Sequence, residues 1–211
     1  MPLTFPRDMT DLTRWSEPKL RLMHRQELSR VQGGLTSAKD MGPSLWTAEW
    51  TSVPIPLADA DAAMASFRSL RGALRTFFLY PFTHPQPRMT SPGDLDGVSV
   101  TVDAIGANFD GISLAGLPAG FEMVAGDFLS IATAVGGTEF LQLVDGGIAD
   151  GSGRTPEMEM TPFVRPAVLV GNPVALIKPP IEMRLEPDTL DDPYVSKTHR
   201  KITFKSVQVV R

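Results

Sequence analysis

The chain has 211 residues, no cysteine, three histidines and a formal net charge of −4 with both signs interspersed. Its length allows one large or two small domains that bury roughly 70% of the extended surface, and the missing thiols exclude disulfides, zinc ribbons and thiolate catalysis. Without a basic stripe to neutralise phosphates, nucleic acid is not expected as a tight partner.

No apolar run reaches the roughly 18 residues that a helical bilayer span requires, so no membrane partner is expected. The opening MPLTFPRDMTD lacks a basic region followed by an apolar one, which points to synthesis in the cytoplasm. Nineteen prolines and 18 glycines exceed average usage but stop short of a disordered composition. Many turns and short strands should follow.

Residues 1–18 carry Pro2, Pro6 and Pro18 around Phe5, Met9 and Trp15 and are expected to form an extended arm. KLRLMHRQELSRVQ, from Lys19 to Gln32, reads better as a strand than as a helix and ends at the Gly33-Gly34 turn signal. LWTAEWTSVPIPL sets Trp46, Ala48, Trp50 and Ser52 against Thr47, Glu49 and Thr51, the period of a half-buried strand, until Pro54 and Pro56 stop the ladder. From Asp59 the period changes. Ala60, Ala63, Met64, Phe67, Leu70 and Leu74 form one stripe at helical spacing, predicting a helix over 59–74 with Asp59 as cap, Asp61 in the first turn, and Arg68, Arg71 and Arg75 toward its negative end. TFFLY then reads as a strand closed by Pro81.

Beyond a linker bearing Pro92-Gly93, the chain becomes a series of short β-like pieces, VSVTVDA, DGISLAGL, DFLSIATAV, TEFLQLVDG and PEMEMTPF, punctuated by Gly and Pro. VALIK, IEMRLE and HRKITFKSVQVVR follow, the last with a slip between Phe204 and Val207 that suggests a bulge. The prediction is mainly β: a β-sandwich with one principal helix, from residues 19–95 and 167–211, with a small β-module of 96–166 inserted.

The chemistry of the chain is sparse. His24, His84 and His199 are too dispersed for a histidine metal site on one short element, and read as surface or half-buried residues. DGGIADGSGR has the composition of a calcium loop without its ordered ligands or closing Glu, so Asx-capped turns explain it better. Ser152 lacks the G-x-S-x-G frame, no phosphate loop is present, and a catalytic carboxylate pair could be drawn among 24 acids by chance. No catalytic, cofactor or metal residue is therefore expected, and the chain does not read as an enzyme.

Trp46 and Trp50, four apart on one strand face, could form a sugar-binding platform, which would make the chain a carbohydrate-binding module. Packing is the commoner use of such large apolar side chains. Candidate packing and assembly residues are Trp46, Trp50, Phe67, Leu70, Phe77, Ile202, Phe204 and Val207.

The order of parts carries a resemblance. The run from LWTAEW through AAMASFRSLRGALRTFFLY resembles the N-terminal half of the distal tail proteins of long-tailed siphophages and prophages, in which a Trp-bearing strand precedes a helix ending near "LRG" and an aromatic strand. AGDFLSI, GSGRTPEMEMTPFVRP with Pro162 and Arg165, and IEMRLE with Met183, Arg184 and Leu185 are similar to the inserted β-module of that family and its closing strand.

The resemblance implies a virion structural protein of the tail tip, or baseplate hub: a homo-hexameric ring of β-sandwich subunits around a channel through which DNA passes without specific binding. It also implies tail-tube and tail-tip hub or fibre proteins as neighbours. A tube or tail-terminator subunit is the nearest alternative.

Overall fold

The alternation in LWTAEWT becomes a seven-residue strand, Leu45–Thr51, whose burial alternates strictly with Trp46, Ala48 and Trp50 inward. The computed structural model describes residues 4–30, 34, 36–91 and 93–210. Pro2, Gln32, Gly33 and Pro92, used above as punctuation, lie outside the described residues. The fold is mainly β, with a single α-helix among the described residues. It divides into two compact units, one gathering the residues up to Leu12, Leu74–Arg184 and Val209 onward, the other Thr13–Ala73 and Leu185–Gln208.

In the second unit, Leu45–Thr51 pairs antiparallel on one side with Lys19–Met23 and on the other with Thr203–Gln208. The segment from Lys19 is two strands rather than one, since Gln26–Arg30 pairs instead with Thr36–Asp40. The last strand keeps an unbroken register from Thr203 opposite Thr51 to Val207 opposite Thr47, so it carries no bulge there. Polar residues explain the apparent slip. Phe204, Ser206 and Gln208 share the buried face, whereas Val207 is only half-buried on the other. Gln208 is tolerated inside because its Oε1 accepts a hydrogen bond from the Trp46 amide at 3.2 Å.

The helix spans Leu57–Arg68, starting earlier and ending sooner than the expected 59–74. Pro56, not Asp59, occupies the N-cap position and makes no side-chain cap bond, while Asp59 falls in the first turn. At the other end Arg71 and Gly72 both take left-handed backbone angles, φ 56° and 65°, which stops the helix. Arg71 and Arg75 thus lie beyond it. Ala60, Ala63, Met64, Phe67 and Leu70 are buried along the predicted stripe, but Leu74, in the 3-10 turn Gly72–Leu74, is 78% exposed.

In the first unit, Phe77–Leu79 pairs antiparallel with Ile181–Leu185 and parallel with Arg7–Asp8, so part of the N-terminal arm is an edge strand. Six further strands close into an antiparallel barrel: Val100–Ile105, Gly111–Ala115, Phe128–Ala132, Thr138–Leu143, Met158–Thr161 and Pro173–Ala175. Its inward positions include Val102, Ile112, Leu114, Leu129, Ile131 and Leu141, an apolar core. The barrel runs past residue 166, the expected end of the module, because Pro173–Ala175 is the strand that bridges Val100 and Thr101 to Ser130 and Ile131 and closes the ring.

Candidate assembly surface

The strands Gln26–Arg30 and Thr36–Asp40 form a two-stranded ribbon in register from Gln26 opposite Asp40 to Arg30 opposite Thr36. Every residue of both strands is exposed, and Leu28, at 64%, is among the most exposed large apolar residues of the chain. Its base is pinned where the Met41 amide donates to the Arg25 carbonyl at 2.7 Å and where Ser44 Oγ lies 2.9 Å from His24 Nδ1. The ribbon extends the strand Lys19–Met23, in which Leu20 and Leu22 are half-buried and Met23 is 44% exposed. A lone pair of strands without a packed face is at best marginally stable in water. Among the described residues nothing apolar covers this ribbon.

In the second unit Trp15, Trp50, Phe67 and Phe204 form one aromatic cluster, with ring centroids 5.0 Å apart for Trp15 and Trp50, 5.4 Å for Trp15 and Phe204, and 4.9 Å for Phe67 and Phe204. Of the expected packing residues, Trp46, Trp50, Phe67, Leu70, Ile202 and Phe204 are buried in this unit and Phe77 in the other, and only Val207 is not. Trp46 and Trp50 are each 3% exposed, which removes the sugar platform. Trp15, expected in the extended arm, completes the cluster; the sequence signal for it is a large aromatic among prolines. On the opposite sheet face Lys19 and Lys205 flank Glu49 at 3.9 and 3.2 Å, and the Lys205 hydrogen bond and charge hold the Glu49 carboxyl below the ordinary range.

Other polar groups serve structure. Arg200 Nη1 donates to Asp61 on the helix at 3.0 Å and to Asp192 at 2.9 Å, stapling the helix to the segment before the last strand. Asp150 Oδ1 accepts from the Ser152 amide and hydroxyl and the Arg154 amide, which lowers its pKa and commits DGGIADGSGR to a capped turn. Gly153 is required in that turn, because its φ is 76° and a Cβ there would lie 2.2 Å from the Leu117 carbonyl oxygen. His24 and His84 are exposed and His199 half-buried, each with its imidazole beside a Ser or Thr hydroxyl. Among the described residues no three His, Asp or Glu side chains form a metal-holding group.

No protein-family model matches the chain, and no curated protein matches it.

Proposed function

We propose that the chain is a structural subunit of a siphophage tail tip, a distal tail protein whose six copies form a ring joining the tail tube to the tip around the DNA channel. The observation that carries this reading is the ribbon of Gln26–Arg30 and Thr36–Asp40, exposed strands that follow a sheet strand and have no apolar cover among the described residues. A neighbouring copy would supply that cover by pairing with or packing on the arm, the usual way an exposed strand is stabilised in a closed cyclic assembly.

Two further features agree with it. The polar clusters of the chain hold turns and staple elements, the work of a scaffold. Residues 96–176 carry ten acidic residues against two arginines, a net charge of −8 in a chain of −4, so a ring of such subunits would repel rather than bind passing DNA.

Negative-stain imaging with light scattering on purified protein tests the proposal: a six-fold ring of hexamer mass is expected. Replacing residues 26–40 with a short Gly/Ser linker should leave a folded monomer. A monomer at all concentrations, or a ring that survives loss of the ribbon, overturns it.

A further inference from the structure

The barrel has two chemically different ends. Its strands alternate in direction, so three connections meet at one end, residues 106–110, 133–137 and 162–172, while the chain enters before Val100 and leaves after Ala175 at the other. The far end is apolar and open to solvent. Phe109 is 42% exposed, Val135 62%, Phe163 69%, Leu169 52% and Val170 65%. Across 106–110, 133–137 and 162–172 the charged side chains are Asp110 and Arg165, and Arg165 is turned inward onto buried Glu139, Nη1 to Oε2 at 2.7 Å.

Hydrogen bonds tie these connections to one another and to the barrel. The Val164 amide donates to the Phe109 carbonyl at 2.7 Å, the Leu169 amide to Asn172 Oδ1 at 2.7 Å, and the Gly171 amide to the Val102 carbonyl at 2.8 Å. Phe109 sits at φ 59°, a left-handed conformation that a bulky side chain adopts only against steric resistance. A chain selected only for folding would place Gly or Asn there and keep phenylalanine inside. Large apolar patches that persist on a water-facing surface mark interaction sites.

The surroundings define the partner. Asp110, the residue after Phe109, lines one depression with Asp145, Glu157 and Glu159 alongside the strand Met158–Thr161, and residues 96–176 carry ten acidic residues against two arginines. This acidic flank disfavours an anionic lipid surface and disfavours a self-complementary contact with a second copy, which would oppose like charges. We infer that the far end of the barrel is a docking surface for a different protein, one presenting an apolar or aromatic patch flanked by Lys and Arg. This inference does not depend on the tail reading.

A random-peptide display library selected on the full-length protein tests it. Enriched peptides should have an apolar or aromatic centre with basic flanks. Their affinity should fall about tenfold or more in the double variant Phe163→Asp/Val170→Asp, whereas Leu74→Asp, at a 78% exposed residue outside the barrel strands, should leave it unchanged. The variant Glu157→Lys/Glu159→Lys should reverse the flank preference from basic to acidic, an outcome that a merely sticky apolar surface would not give. Selections with no enrichment, or peptides indifferent to Phe163→Asp/Val170→Asp or to the charge reversal, overturn the inference. Cosedimentation with phosphatidylcholine vesicles abolished by Phe163→Asp/Val170→Asp would replace the protein partner with lipid. Loss of self-association in that variant would replace it with a second copy.

Discussion

At the scale of single residues, the barrel encloses an acid that should make its stability depend on pH. Glu139 shares its strand face with Leu141 and Leu143 and is 2% exposed; Arg165 binds one of its oxygens, and the other, Oε1, has no hydrogen-bond partner among the described residues. Burial pushes its carboxyl from 4.5 up to about 7, outweighing the downward pull of Arg165. The folded state therefore holds this proton more tightly than the unfolded chain. Its contribution to stability is complete below pH about 4.5 and is lost as pH rises through about 7, on the order of 3 kcal/mol over that window. Urea unfolding at pH 5 and pH 8 should show a drop that Glu139→Gln largely removes; an equal drop in both proteins would place the effect elsewhere. Phe204 is the second informative residue, because it touches three other rings of the aromatic cluster and is 1% exposed. Phe204→Ala should cost about 3–5 kcal/mol by urea denaturation, and a loss under 1 kcal/mol would mean the cluster collapses around the cavity.

Among elements, the ribbon and the helix show opposite ways of being held. The helix buries Ala60, Met64 and Phe67 and is fastened from outside by Arg200 through Asp61, so its weak capping matters little. The ribbon has its ladder and its base bonds but no buried side chain. Opening such an element costs little free energy, so its amides should exchange quickly in an isolated subunit. Hydrogen exchange on monomer and assembled protein should find Gln26–Arg30 and Thr36–Asp40 fast in the first and strongly protected in the second. Equal rates in both would show that the ribbon takes no part in assembly.

For the whole molecule, the two units have separate cores, one of barrel apolar residues and one built on the aromatic cluster. The second draws Trp15, Trp50, Phe67 and Phe204 from distant parts of the sequence, so it cannot form until the C-terminal strand arrives. Truncation after Glu186 removes Ile202 and Phe204, both buried, and should unfold Thr13–Ala73 while the barrel keeps its cooperative transition. Calorimetry should then show the barrel transition alone. A truncated protein that retains near-UV dichroism from Trp46 and Trp50 would show that the last strand is dispensable for that core.

What the sequence determined by itself was local and periodic. Alternation at Trp46, Ala48 and Trp50, three- and four-residue spacing from Ala60 to Leu70, and Gly or Pro between short β pieces identified the mainly β class, the lone helix and most strands, because burial on one face imposes a period that any sequence window displays. The tertiary structure decided whatever depended on residues far apart in the chain. Gln208 points inward because the Trp46 amide waits for it 162 residues away, which inverted the reading of Val207. The barrel closes through Pro173–Ala175, too short a strand to stand out, and only that closure gathers Phe109, Val135, Phe163 and Val170 at one end. Exposure of the ribbon was equally illegible: QELSR and TSAKD suit a solvated strand edge and a solvated arm alike, and only the positions of the other strands show which one it is.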